Sequence, residues 1–262
     1  MSAPRDKGWL TVIGLGPGGP HLTTPAVMNV ISEATDLVGY GPYLDRIEGQ
    51  EPSQRRHASD NRVEVERAGE ALRLAAEGRR VAVVSGGDPG VFAMAAAVFE
   101  AIEAGDPAWR NIDVRVEPGV TAMLAAAAEV GAPLGGDFCA ISLSDNLKSW
   151  ATITRRLAAA AQADFVIALY NPASRARPHQ LGEAFELLRG LKSGDDLVMF
   201  VRAAGTKEAR VKLTTLAEAD AADADMRTVV IIGSSQTRTI DRPDAQPWVY
   251  TPRREMVGEG GA

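Results

Sequence analysis

The passage from the apolar run Val81-Ala82-Val83-Val84 through Ser85-Gly86-Gly87-Asp88-Pro89-Gly90 into an alanine-rich helical stretch constrains this chain most. A buried strand that ends in glycines and a carboxylate and turns at once into a helix is the repeating unit of an open α/β sheet. The carboxyl ends of such strands are where these sheets hold ligands. Glycine admits a ligand to main-chain N–H and C=O groups without a Cβ in the way, and Pro89 fixes the turn at the helix start. A small-molecule site at that edge is the first expectation.

Short apolar runs recur at 10–13, 37–40, 112–116, 138–142, 165–170, 197–201 and 228–233, separated by helical patterns. Val65, Ala68, Leu72 and Ala75 keep to one helix face, as do Trp150, Ile153, Leu157 and Ala161. Pro25 after Thr23-Thr24 marks a helix start. Such alternation predicts an α/β protein with largely parallel sheets. With 262 residues the chain sits where one core gives way to two. The texture changes at Glu117-Pro118-Gly119, which places a junction between a domain of residues 1–118 and one of residues 119–262 that carries a short glycine-rich tail, Gly258 to Ala262. No apolar run approaches the about 18 residues a membrane span needs. The polar residues Met1 to Gly8 hold no signal-peptide core. The single cysteine, Cys139, excludes an internal disulfide framework and suits a cytoplasmic protein, in which it reads as a packed core residue. A formal charge of −6 argues against a nucleic-acid partner. The local arginine pairs Arg55-Arg56, Arg155-Arg156 and Arg175 with Arg177 are solvated surface or contacts for an anionic small molecule.

Gly14-Leu15-Gly16-Pro17-Gly18-Gly19 satisfies GxGxxG after a strand, which by itself suggests a dinucleotide. Pro17, however, removes a donor that a pyrophosphate would use. Asp36 also precedes the second strand instead of ending it, so no acidic group waits for a ribose. Thr121, in Glu117-Pro118-Gly119-Val120-Thr121-Ala122, either caps a helix or meets a ligand. Tyr170 and Asn171 end a buried strand, and Ile232-Gly233-Ser234-Ser235 repeats the pattern on the last strand. Among His21, His57 and His179, His57 stands out: it lies in the polar stretch Arg56-His57-Ala58-Ser59-Asp60-Asn61, read as a loop before a helix, where it could move a proton. No metal-ligand spacing, nucleophile elbow or P-loop is present.

Together, Gly14-Leu15-Gly16-Pro17-Gly18, Gly86-Gly87-Asp88-Pro89 and Pro118-Gly119-Val120-Thr121-Ala122 resemble the tetrapyrrole methylases, the class III methyltransferases that use S-adenosylmethionine. The resemblance runs from about Trp9 to Arg253. It implies two αβα domains, a cofactor cleft between them, a tetrapyrrole substrate and a homodimer. The implied cofactor residues are Pro17, Gly86, Gly87, Asp88, Val91 and Phe92, then Thr121, Ala122, Tyr170, Ala203 and Gly233. The stretches Arg56 to Arg62, Ser142-Leu143-Ser144-Asp145-Asn146-Leu147, Leu169 to Ser174 and Ile232 to Thr237 resemble the family's members that methylate and contract a cobalamin precursor. His57 or Asp145 is then expected to assist proton transfer, with Asp88 orienting cofactor or substrate. Arg55, Arg56, Asn171, Arg175 and Arg177 are expected to meet the substrate and its carboxylate arms. Asparagine often stands in the family where this chain has Ala203 and Ser234. A cobalt-loaded acceptor, an RNA or protein acceptor, and an NAD(P)-linked oxidoreductase are the competing expectations.

Overall fold

The computed structural model describes residues 8–49, 53–60, 63–174 and 176–254, and the chain forms two compact units, Met1–Ala122 and Met123–Ala262. Arg175, the segment Met1–Lys7 and the tail Gly258–Ala262 lie outside the described residues, as do Asn61 and Arg62.

The first unit runs β1 (Trp9–Gly14), α1 (Pro25–Glu33), β2 (Asp36–Tyr40), α2 (Gly41–Leu44), β3 (Arg55–Ser59), α3 (Glu64–Ala76), β4 (Arg80–Ser85), α4 (Met94–Ala104) and β5 (Asp113–Glu117). Its five strands pair only in parallel, in the order β3-β2-β4-β1-β5. Side-chain alternation along β4 divides the burial between the two faces of the sheet. Val81 and Val83 join Leu10, Val12, Ala68, Leu72 and Val98 in the core under α3 and α4. Ala82 and Val84 join Ile13, Val27, Ile31, Leu37 and Leu44 in the core under α1 and α2. Burying each of the Val, Leu and Ile side chains contributes on the order of 1.5–3 kcal/mol. Helix α1 starts as its sequence dictates, with Pro25 in the first turn and the Thr24 hydroxyl accepting the Val27 N–H at 3.2 Å. Of the α3 stripe, Ala68, Leu72 and Ala75 are buried, whereas Val65 in the first turn is 61% exposed.

Helix α5 (Ala122–Val130) crosses the division between the units. The second unit continues with β6 (Gly131–Ala132), β7 (Phe138–Ser142), α6 (Trp150–Gln162), β8 (Val166–Tyr170), α7 (Gln180–Arg189), β9 (Leu197–Arg202), β10 (Arg210–Thr215), β11 (Thr228–Ile232), β12 (Arg238–Arg242) and β13 (Ala245–Tyr250). Its larger sheet has the order β10-β9-β11-β8-β7. Ile153 and Leu157 of α6 and Leu181, Phe185 and Leu188 of α7 pack on it, over Ile167, Leu169, Val198, Phe200, Val230 and Ile232. Cys139 packs half-buried against this core, and burial raises its thiol pKa.

The expected parallel arrangement describes the whole first sheet, but in the second it describes only β7 with β8. β10 with β9, β11 with β9 and β11 with β8 are all antiparallel. A short connection such as residues 203–209 can only return the chain antiparallel to the strand it leaves, because parallel neighbours need a long crossover. The remaining strands β12, β13 and β6 form a separate small sheet.

Candidate functional site

In a wholly parallel sheet every strand delivers its carboxyl end to one edge, and β4 and β1 lie side by side at the centre of the first unit. Their glycine loops bond each other: Gly16 N–H donates to Gly87 O and Gly87 N–H to Gly16 O, each at 3.1 Å. Both glycines are left-handed, with φ of 71° and 64°, a conformation that side chains disfavour. The segment after β5 closes on the same point. A Cβ added to Gly119 would lie 2.3 Å from Gly87 O and 2.6 Å from Gly14 O, so three main-chain segments meet with no room for a side chain. Thr121 and Ala122 are adjacent: a Cβ on Gly87 would lie 3.9 Å from Thr121 Cα and from Ala122 N. The three motifs singled out in the sequence thus converge within one unit.

Asp88 braces this convergence. Its carboxylate accepts the Gly90 N–H at 2.8 Å and the Gly119 N–H at 3.0 Å, which ties the β4 loop to the β5 loop. Pro17 follows directly on Gly16, Val91 is half-buried, and Phe92 is 50% exposed with φ of 53°. Arg46, which sequence reasoning passed over, donates to the carbonyls of Leu15, Gly16 and Gly18 at 3.1, 2.9 and 2.7 Å. Burial lowers the pKa of this guanidinium, with Tyr43 opposing that shift. Buried Arg67 does similar work on the β3 side, donating to Ser59 Oγ and Asp60 O at 2.8 and 2.6 Å. Neither arginine has a sequence signal, since both act on main-chain carbonyls or neutral side chains of other segments. The GxGxxG run does not open directly onto an α-helix. A 3-10 turn, Pro20–Leu22, stands between it and α1, unlike a dinucleotide loop, whose glycines lead straight into the helix.

His57 stands apart from this edge. The stretch read as a loop is strand β3, and its register sets His57 opposite Val38 in mid-strand. The ring lies 2.8 Å from Asp36 Oδ1 and 3.2 Å from Glu70 Oε1, so it is held on the α3 face. Asp36 is buried at the start of β2. Burial pushes its carboxyl up, but bonds from His57, Thr35 and Arg79 outweigh this and hold it below the usual carboxylate range. Arg55 lies opposite Asp36 in the β2–β3 ladder, at the amino edge of the sheet and away from the glycine loops. Arg56 donates to Leu44 O and Ile47 O at 2.9 and 2.7 Å, closing the end of α2 instead of facing a ligand.

In the second unit, Ser142, Tyr170 and Asn171 share the carboxyl edge of β7 and β8. The Met123 N–H at the start of α5 donates to the Tyr170 hydroxyl at 2.9 Å. Asn171, with φ of 53°, donates to Ser142 Oγ at 2.9 Å. Ala203 follows β9, buried and left-handed with φ of 51°, a conformation asparagine tolerates better than alanine. Its N–H donates to Arg227 O at 2.9 Å. Asp145, exposed after β7, accepts from Gln180 Nε2 at 3.4 Å. Gly233 is not with this group. Because β11 runs antiparallel, Ile232 pairs with Ile167 and the Gly233 N–H donates to Leu197 O, so Gly233 lies at the opposite edge from Tyr170 and Ala203. There it serves a turn in which an added Cβ would meet Thr237 Cβ at 2.7 Å. The start of β11, Arg227-Thr228, takes the place that Gly233 was expected to fill. Ser234 is buried in the same turn, its N–H donating to Thr237 Oγ1 at 2.9 Å.

Among the described residues no group of three or more His, Cys, Asp or Glu could hold a metal, and no helix is long and apolar enough to cross a membrane.

Two α/β units, one of them with glycine loops interlocked at strand ends, define a methyltransferase by comparison with known proteins. Residues 9–220 match the family described as Tetrapyrrole (Corrin/Porphyrin) Methylases. The chain is 57% identical over 246 residues to a Precorrin-3B C(17)-methyltransferase of Sinorhizobium sp, covering 94% of this chain and 96% of that protein. It is 39% identical to a Probable cobalt-factor III C(17)-methyltransferase of Salmonella typhimurium, covering 92% of this chain and 99% of that one. The solved structure of the methyltransferase CobJ superposes with a TM-score of 0.89 at 52% identity, covering 94% of this chain and 100% of that one. The chain belongs to the tetrapyrrole methylase family.

Proposed function

We propose that the chain transfers a methyl group from S-adenosylmethionine to C17 of precorrin-3B, with contraction of the macrocycle to give precorrin-4, in the synthesis of cobalamin. The observation that carries this reading is the meeting of Gly14–Pro17, Gly86–Asp88 and Gly119–Ala122, three main-chain segments locked against one another at the strand ends. Loops fixed this closely at the carboxyl edge of a parallel sheet offer a preorganised seat for a small cofactor.

When bound, S-adenosylmethionine supplies a methyl group already activated on a sulfonium. The residues of the first unit proposed to hold it are Pro17, Gly86, Gly87, Asp88, Val91, Phe92, Thr121 and Ala122. Their task is alignment, and alignment with the acceptor can supply roughly 7–11 kcal/mol of barrier lowering. Asp88 acts by fixing the two loops it bonds. Carbonyl oxygens at the strand ends suit a cationic centre without a full counter-charge. Asp145 is proposed to take the proton shed during ring contraction, because it stands exposed at the β7 edge and is oriented by Gln180. His57, clamped by Asp36 and Glu70, positions β3 against α3. Asn171 and Arg177 face the acceptor and its carboxylate arms. A homodimer in the cytoplasm completes the proposal.

Titration with S-adenosylhomocysteine, then incubation with labelled S-adenosylmethionine and either metal-free precorrin-3B or its cobalt-loaded counterpart, tests the reading. A gain of one methyl and ring contraction on the metal-free acceptor is expected. Transfer only to the cobalt-loaded acceptor would reassign the substrate, and no affinity for S-adenosylhomocysteine would end the proposal.

A further inference from the structure

Folded chains leave few buried polar atoms without a partner, so where such atoms gather is informative. Among the described residues the buried side-chain atoms with none are Trp9 Nε1, Arg56 Nε, Ser174 Oγ, Arg177 Nη1 and Gln180 Oε1. Three of these five fall between Ser174 and Gln180, directly after the strand that delivers Tyr170 and Asn171. An unmet buried group is costly, and a partner arriving from outside would relieve that cost.

From this clustering we infer that Ser174, Arg177 and Gln180 form a recognition subsite for a carboxylate arm of the tetrapyrrole and an adjoining N–H or O–H group. The inference rests on the methyl-transfer reading for the identity of the acceptor. The backbone fixes the first two members: Ser174 N–H donates to Arg177 O at 3.2 Å and Arg177 N–H to Ser174 O at 3.0 Å. In an antiparallel pair bonded in both directions, the two side chains leave on the same face, with Cα atoms about 5.5 Å apart. Both offer donors, a hydroxyl and a guanidinium N–H, and a carboxylate offers only acceptors. No carboxylate pairs with Arg177 among the described residues. Gln180 opens α7 and is 4% exposed. Its Nε2 donates to Asp145, which leaves Oε1 as an acceptor in need of a donor. A simple anion would satisfy Ser174 and Arg177 and leave Gln180 unmet. A ring bearing an acid arm beside an N–H or hydroxyl satisfies all three. The atoms are shut from solvent as they stand, so engagement shifts this turn by the small rearrangement that binding loops commonly make. Gln180 thereby couples arm recognition to the orientation of Asp145 and is a positioning residue.

The test is fluorescence titration of the full chain with uroporphyrin III, a stable carboxylate-rich tetrapyrrole, alongside calorimetry with S-adenosylhomocysteine. Arg177→Met is expected to weaken porphyrin binding about ten-fold and Ser174→Ala about three-fold, with Arg177→Lys between Arg177→Met and the unsubstituted chain. Affinity for S-adenosylhomocysteine stays within about two-fold, which shows that the variants fold. In turnover, Gln180→Met raises KM for the acceptor and leaves KM for the methyl donor unchanged. No porphyrin affinity in the unsubstituted chain, or equal affinity in Arg177→Met and Ser174→Ala, overturns the subsite. Absence of S-adenosylhomocysteine binding in the unsubstituted chain strikes the methyl-transfer reading instead.

Discussion

A Cβ at position 119 would press on two backbone oxygens that cannot swing aside. Gly119→Ala is therefore expected to cost roughly 2–3 kcal/mol and to weaken S-adenosylhomocysteine binding, read by thermal unfolding and calorimetry. Position 171 separates two effects. Asn171→Ala loses both the Ser142 bond and a residue tolerant of φ 53°, at about 1–2 kcal/mol. Asn171→Gly loses only the bond and falls below that in a denaturant melt. At this scale the glycines were legible in the sequence, because what a glycine permits is local. Arg46 and Arg56 were not, because their partners are carbonyls of other segments and only the folded chain brings them together.

The elements show where periodicity runs out. β3 reads Arg-Arg-His-Ala-Ser, a polar edge strand with no apolar run, so its sequence pattern, His57 included, is that of a loop. β10 and the β12–β13 pair went unseen because their side chains are mostly half-buried or exposed. Strand direction is also absent from a run of apolar residues, and the misplacement of Gly233 follows from that single gap. The turn beyond β11 is held from the start of β8 by Asp164, which accepts the Ser235 N–H at 2.9 Å and its hydroxyl at 2.6 Å. Lys192 joins Asp164 at 2.9 Å and Asp196 at 3.0 Å, with its side chain 2% exposed. Lys192→Met leaves Asp196 buried and unpaired, and a loss of about 3–5 kcal/mol is expected in urea unfolding.

Across the whole molecule, both units carry carboxylates that folding makes more acidic. At Asp36, Asp164 and Asp225 burial pushes the carboxyl up, but hydrogen bonds outweigh it: His57, Thr35 and Arg79 at the first, Ser235 and Lys192 at the second, Arg202, Arg227 and Thr228 at the third. A depressed folded pKa contributes stability that is present above the unfolded value, about 3.9, and is lost as pH falls through the folded one. Melting temperature should therefore hold steady through neutral pH and drop below about pH 4. Asp36→Asn and Asp164→Asn should each flatten part of that acid limb, and an unchanged limb in both would show that other groups govern it.

The paired bonds between Gly16 and Gly87 reach further than local order. Main-chain bonds set the spacing there, with the Asp88 and Arg46 side chains bracing it, so neither loop can drift without dragging the other. A preference for one acceptor over another is then expected to be tuned in polar turns such as the one beyond β8, where side chains carry more of the structure. That turn is where evolution, or an engineer, retains freedom to choose.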